Sequence, residues 1–314
     1  MTIFQFLVIA RWLHFASVFV LFGAALLWFY APASASRGVR DLPRSFTATR
    51  RLICVAAPVA AISGLCWLAG ILVNMTSDPA TPDWRALKDP ETLRLFFFET
   101  NFGTVSIIRL ILLTSALGIV ALRLPARVSL IALVYIGAAL LVSQAWLGHA
   151  AEGGAGLKGA VMIAAYSVHV LAAGAWAGGL APLLFVLVEQ GRAAKDPVTE
   201  NLKILTRFSA MGTIAVALIV ASGAANAGFR VGGSFGRLFG SAYGDVLCAK
   251  LALVAVMLAL ACFNRFVAMP RLRRASPEGA VRTKALTRNV TAELALGVLV
   301  LGAAAVLGVT PPPQ

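Results

Sequence analysis

Residues 166–182 read YSVHVLAAGAWAGGLAP, an apolar run with a ladder of small residues and one ionisable group, His169. About 20 apolar residues suffice to cross the ~30 Å hydrocarbon core of a bilayer, so a run of this kind predicts a membrane span. A titratable side chain part-way along a span is costly unless a partner or a cavity receives it, which makes it a functional candidate. The chain has three histidines, and the other two, His14 and His149, also lie in or at the end of apolar runs. The expectation is a fold that brings the three together.

Composition sets the class. The 314 residues are 60% hydrophobic with a mean hydropathy of +0.86, and apolar runs recur along nearly the whole length. That predicts an all-α polytopic membrane protein, a single transmembrane domain over 1–314. The net charge of +14 does not point to nucleic acid, because the bases fall in short connections between apolar runs. There they report orientation. Cys54, Cys66, Cys248 and Cys262 form no C-x-x-C and each falls in a predicted span, so they read as reduced core residues. Ala33-Ser34-Ala35 resembles a signal-peptide cleavage site, but no base precedes Arg11, and Arg11 and His14 interrupt the apolar stretch. The first helix is therefore expected to be retained.

Eight spans are expected, at about 4–30, 52–75, 103–123, 128–148, 160–188, 206–228, 245–268 and 290–309. The connections on one side carry 18 Lys and Arg, and those on the other carry six together with Asp78, Asp83, Asp89, Glu91 and Glu99. Positive-inside asymmetry then places both termini outward, away from the cytoplasm. In loop 76–102 the patch Leu95–Phe98 reads as a short amphipathic piece at the interface. With this orientation His14 and His169 each lie about 10 residues, roughly 15 Å, below the outer surface. His149 sits at the outer rim.

An internal repeat supports that symmetry. Phe102-Gly103 with Val105, Arg109 and Leu110 matches Tyr243-Gly244 with Val246, Lys250 and Leu251 without a gap. His14 precedes Gly23 by nine residues, as His169 precedes Gly178, and the following spans contain Ser63-Gly64 and Ser222-Gly223. The chain reads as two parallel four-helix halves, about 1–149 and 150–314, related by an axis along the membrane normal.

The candidate chemistry is carried by His14 and His169, which are expected to meet in the outer half and share one ligand. Two neutral imidazoles can bind Cu(I) or Cu(II), or hold a haem between them. Met162 lies two turns outward of His169 on the same helix face, where its thioether suits Cu(I) or simply fills space. His149 is a candidate rim ligand, with Glu152 a solvated acid or its orienter. Arg109, Lys250 and Arg11 read as bases that snorkel to the headgroups. Glu293 reads as paired with a loop base, with a proton or ion relay as the alternative. Gln144 and Asn226 are polar groups that line a passage or bond between helices. Ala173, Gly174, Ala177 and Gly178 have the small-xxx-small spacing of close helix packing. There is no Walker motif, no pair of catalytic carboxylates and no nucleophile elbow, so an enzyme is not expected.

Taken in order, Arg11-Trp12-Leu13-His14-Phe15, Gly148-His149-Ala150, His169 with the small-residue run to Leu180, Arg207-Phe208-Ser209, Ser222-Gly223, Lys250-Leu251, Asn264-Arg265, Glu293 and Pro311 resemble the CopD/PcoD copper resistance membrane proteins. The resemblance spans nearly the whole chain. It implies an eight-span inner-membrane protein that handles periplasmic copper, often beside a CopC-type copper-binding protein, here a separate one. The expectation is copper transport toward the cytoplasm with His14, His149, His169 and Met162 as metal ligands. The alternative is a b-type haem redox protein using the same pair.

Overall fold

The structure is a computed structural model that describes residues 1–30, 44–122, 124–148, 153–154, 156–192, 198–231, 240–273 and 279–311. Ala33–Ala35, His149 and Glu152 lie outside the described residues.

The described chain folds into helices, eight of which are long and apolar enough to cross a membrane. They are α1 (Ile3–Tyr30), α2 (Arg44–Thr76), α4 (Asn101–Ala121), α5 (Ala126–Val142), α6 (Leu157–Arg192), α7 (Val198–Val231), α8 (Ala242–Phe263) and α10 (Gly279–Leu307). Two short helices are interposed, α3 (Pro90–Glu99) before α4 and α9 (Met269–Arg273) after α8, and a π-helical turn, Asn264–Ala268, joins α8 to α9. Each expected span is found, and α3 takes up Leu95–Phe98.

The centre of the bundle is the pair α1 and α6, whose side chains are the most deeply buried of the eight spans. The two helices meet at Gly23 and Gly178, where a Cβ on Gly23 would strike the backbone of Gly174 and Gly178, and one on Gly178 would strike Phe19 O. Between helices in lipid there is little hydrophobic gain, so close backbone approach through small residues supplies the attraction. Around this pair, α2 and α5 pack on α1, and α7 and α10 pack on α6. Helix α4 lies outside α2 and α5, and α8 lies outside α10. Arg11 Nη1 donates to Gly308 O (3.1 Å) and Trp12 Nε1 to Val298 O (3.1 Å), so the two ends of the chain lie at the same end of the bundle.

Helix ends follow capping chemistry. Thr100 Oγ1 accepts from Gly103 N at the start of α4 (2.9 Å) and Ser241 Oγ from Gly244 N at the start of α8 (3.0 Å). Helix α2 begins eight residues before the expected 52 because Glu189 of α6 accepts from Arg44 N (2.9 Å) and Ser45 N (3.0 Å). A carboxylate there satisfies orphan N–H groups and complements the helix dipole. The cysteines are unbridged, as expected, but Cys54, Cys248 and Cys262 are exposed on the bundle surface and do not form core.

Candidate metal site

His14 is 0% exposed. Its Nδ1 lies 2.9 Å from Ala60 O of α2, a carbonyl that can only accept, so Nδ1 carries the ring proton. Its Nε2 is held by Arg109 Nη2 of α4, a group that can only donate. The bonds thus assign one neutral tautomer, with the Nε2 lone pair aimed at Arg109. Gly64 makes room for the ring: a Cβ there would stand 3.0 Å from Nδ1. A cavity of about 20 Å³ adjoins the imidazole, lined among others by Ser106, Trp67 and Leu113. That volume suits one water or one ion.

Arg109 is 5% exposed and does not snorkel. It donates to Leu140 O (2.7 Å) and Ser143 Oγ (2.5 Å) of the α5 end as well as to His14. Its guanidinium stands 5.5 Å from the Trp67 ring, and Arg11 stands 5.4 Å from the same ring and 4.9 Å from Phe15. The indole thus serves two cations, an arrangement favoured by its quadrupole. The charged groups that act on His14 are Arg109 and Arg11, with no carboxylate among the described residues. This end of the bundle is electropositive inside.

His169 repeats the design with a different cation. Its Nδ1 faces Ser222 Oγ of α7 at 3.2 Å, and that hydroxyl donates onward to Leu218 O (2.5 Å), leaving its lone pairs to accept Nδ1–H. Gly223 lies against the ring as Gly64 lies against His14. Lys250 of α8 is its charged neighbour, as Arg109 of α4 is for His14. A backbone hydrogen bond to Ile219 of α7 also acts on the His169 ring, and Ser222 is the one side chain that bonds it among the described residues.

The two imidazoles do not meet. Each bonds to helices outside the α1–α6 pair, and no ring contact or hydrogen bond joins them. The reason lies in the spacing: nine residues are about two and a half turns, so each histidine points away from the face that carries Gly23 or Gly178. Those glycine faces touch, so the histidines turn outward from one another. The Nε2 of His14 faces Arg109 and not His169. Met162 lies two turns nearer the start of α6 than His169, its sulfur against Gly153. Gln144 is 4% exposed and its Nε2 is unpartnered, while its Oε1 is 3.5 Å from Tyr166 Oη. Arg109, expected at the headgroups, is buried at His14 instead. Its signal was present, since the repeat aligns Arg109 with Lys250 in the same register as the two histidine helices.

Fold and site together define a class: a helical membrane protein with eight potential spans and two buried imidazoles, each backed by a base from a neighbouring helix. Residues 1–160 match the family described as copper resistance protein D-like, N-terminal domain, and residues 202–307 match the family described as copper resistance protein D. The chain belongs to the copper resistance protein D family. It is 29% identical over 310 residues to copper resistance protein D of Pseudomonas syringae pv. tomato, covering 96% of this chain and 95% of that one. It is 28% identical to inner membrane protein YebZ of Escherichia coli K12, covering 93% of each chain. It is 30% identical to copper transport protein CutJ of Bacillus subtilis 168, covering 84% of this chain and 46% of that one. No solved structure matches.

Proposed function

We propose that this is an inner-membrane copper-handling protein, not an enzyme, that takes copper from the periplasm and passes it toward the cytoplasm. Family membership and the names of the relatives support copper and the inner membrane as the setting. The bias of bases, 18 against six, supports both termini facing the periplasm. Two parallel halves, about 1–149 and 150–314, are supported by the Gly23–Gly178 crossing and by the paired histidine, Ser-Gly and base positions.

Copper is received at the rim by His149 and Met162 and then by the Nε2 of His169. The single observation that carries this assignment is the Ser222 hydroxyl beside Nδ1, which donates onward to Leu218 O and so supports the tautomer with its lone pair on Nε2. His14 is the second ligand position and is closed by Arg109 until the guanidinium withdraws. Imidazole nitrogen and thioether sulfur suit copper ligation. The buried bases oppose a dication more than a monocation, so Cu(I) is the species carried. A separate CopC-type periplasmic protein is the donor.

The test is copper titration of the full-length protein in nanodiscs, comparing wild type with His169→Ala. Loss of high-affinity binding in a variant that still inserts and purifies as wild type supports the reading. Unchanged stoichiometry and affinity reject it.

A further inference from the structure

At the end of the bundle away from the histidines, Glu293 of α10 is 4% exposed and lines a cavity of about 140 Å³. Gly297 of α10 lies level with Ala177 of α6, which is eight residues beyond His169. One turn further, Glu293 is therefore roughly 18 Å along the bundle from His169. The cavity has room for several waters. It sits among α6, α7, α8, α10 and the π-helical turn, a feature often found where a helix is adapted to function.

The polar groups around Glu293 form a directed chain. Asn289 Nδ2 donates to Asn264 Oδ1 (2.8 Å), and Asn264 Nδ2 donates to Glu293 Oε1 (2.5 Å). Asn264 opens the π turn, and the next residue, Arg265, reaches across to α7, where it donates to Ser209 O and Ser209 Oγ at 2.8 Å each. Arg265 is the one cation lining the cavity among the described residues, and it makes no ion pair with Glu293. From α8 the cavity receives the Cys262 thiol, and from α6, α7 and α9 it receives no ionisable side chain. Helix α1 meets α10 at the other end, through Arg11 and Trp12. The carboxyl is thus buried in the wall of the cavity with one amide donor and no ion-paired base among the described residues, the condition under which a carboxylate takes up a cation.

We propose that Glu293 is a proton-binding site served by this cavity. The step is simple association, in which hydronium gives its proton to the carboxylate and leaves water, with the reverse on release. Asn264 steadies the ionised form through its N–H, and Asn289 fixes which way that amide points. The expected loop-base partner does not exist among the described residues; the carboxyl meets an amide instead.

The test is infrared difference spectroscopy of the full-length protein in nanodiscs, without copper, during a pH titration. Wild type is expected to show the carbonyl stretch of a protonated carboxylic acid at neutral pH. Glu293→Gln is expected to lose that band while keeping the helical amide signal, and Asn264→Ala is expected to shift its frequency. A band unchanged by both variants, or none in wild type at neutral pH, overturns the proposal. So does an ionised carboxylate that responds to added Na⁺ or copper and not to pH, which would make this a metal-cation site. Because copper takes no part, the outcome is independent of whether His169 binds it.

Discussion

Arg109 of α4 donates to the Nε2 of His14 on α1, the one ring nitrogen that Ala60 leaves with a lone pair. The guanidinium therefore occupies the position a metal would take. His169, with Lys250 as its neighbouring base, has no such closure among the described residues. Equivalent positions are in different states in one molecule.

Removing the closing group should open the second position. A hydrogen bond to a charged donor is worth about 1.5–3 kcal/mol. Arg109→Ala should therefore raise copper affinity at His14 by about tenfold to a hundredfold. Isothermal titration of the variant checks this, with His14→Ala in the same background expected to remove the gain. The same change strips partners from Leu140 O and Ser143 Oγ, so a lower unfolding temperature should accompany it.

The crossing of α1 and α6 should be intolerant of any side chain. Gly178→Ala puts a methyl into Phe19 O, and Gly23→Ala puts one into the backbone of Gly174 and Gly178. Both should lose thermal stability and monodispersity in detergent. Gly118→Ala in α4 is the control, because its Cβ would meet nothing within 4 Å. It should be neutral or more stable by up to about 1 kcal/mol, the usual helix gain of Ala over Gly.

The glycines beneath the two rings differ in tightness, which gives an ordered pair of outcomes. A Cβ at position 64 would lie 3.0 Å from His14 Nδ1, whereas one at 223 would lie 3.3 Å from His169 Cε1. Gly64→Ala should disturb the Nδ1 bond to Ala60 and slow or weaken copper capture at His14 in the Arg109→Ala background. Gly223→Ala should alter binding at His169 less. Equal effects, or the reverse order, would contradict the packing described.

Oxidation state should matter. The charged side chains that act on His14 and His169 are Arg11, Arg109 and Lys250, all cationic. Competition between Cu(I) under a reductant and Cu(II) without one should favour Cu(I), and raising ionic strength should narrow the difference little, because buried charges are poorly screened.

Much of the fold was legible in the chain itself. Runs such as 166–182 mark spans because lipid offers the backbone no other partner than its own helix. The Ser-Gly pairs are legible as marks of the repeat, and the structure puts their glycines against the histidine rings. Direction around the helix axis is harder to see. The nine-residue interval between His14 and Gly23 puts them on opposite faces of α1, whereas the repeat by itself shows only that the two histidines occupy equivalent positions. Arg109 was assigned to the headgroups because a base near a helix end usually reaches water. Its three acceptors come from α1, from α5 and from Ser143 just beyond α5, and nothing local in α4 announces them.

The central claim is that His169 is the open copper ligand and His14 the closed one. Copper stoichiometry of His169→Ala and His14→Ala, measured side by side on folded protein in nanodiscs, tests it most directly. The account predicts that His169→Ala abolishes high-affinity copper binding and that His14→Ala binds as wild type. Loss of binding in His14→Ala with full binding in His169→Ala would contradict it.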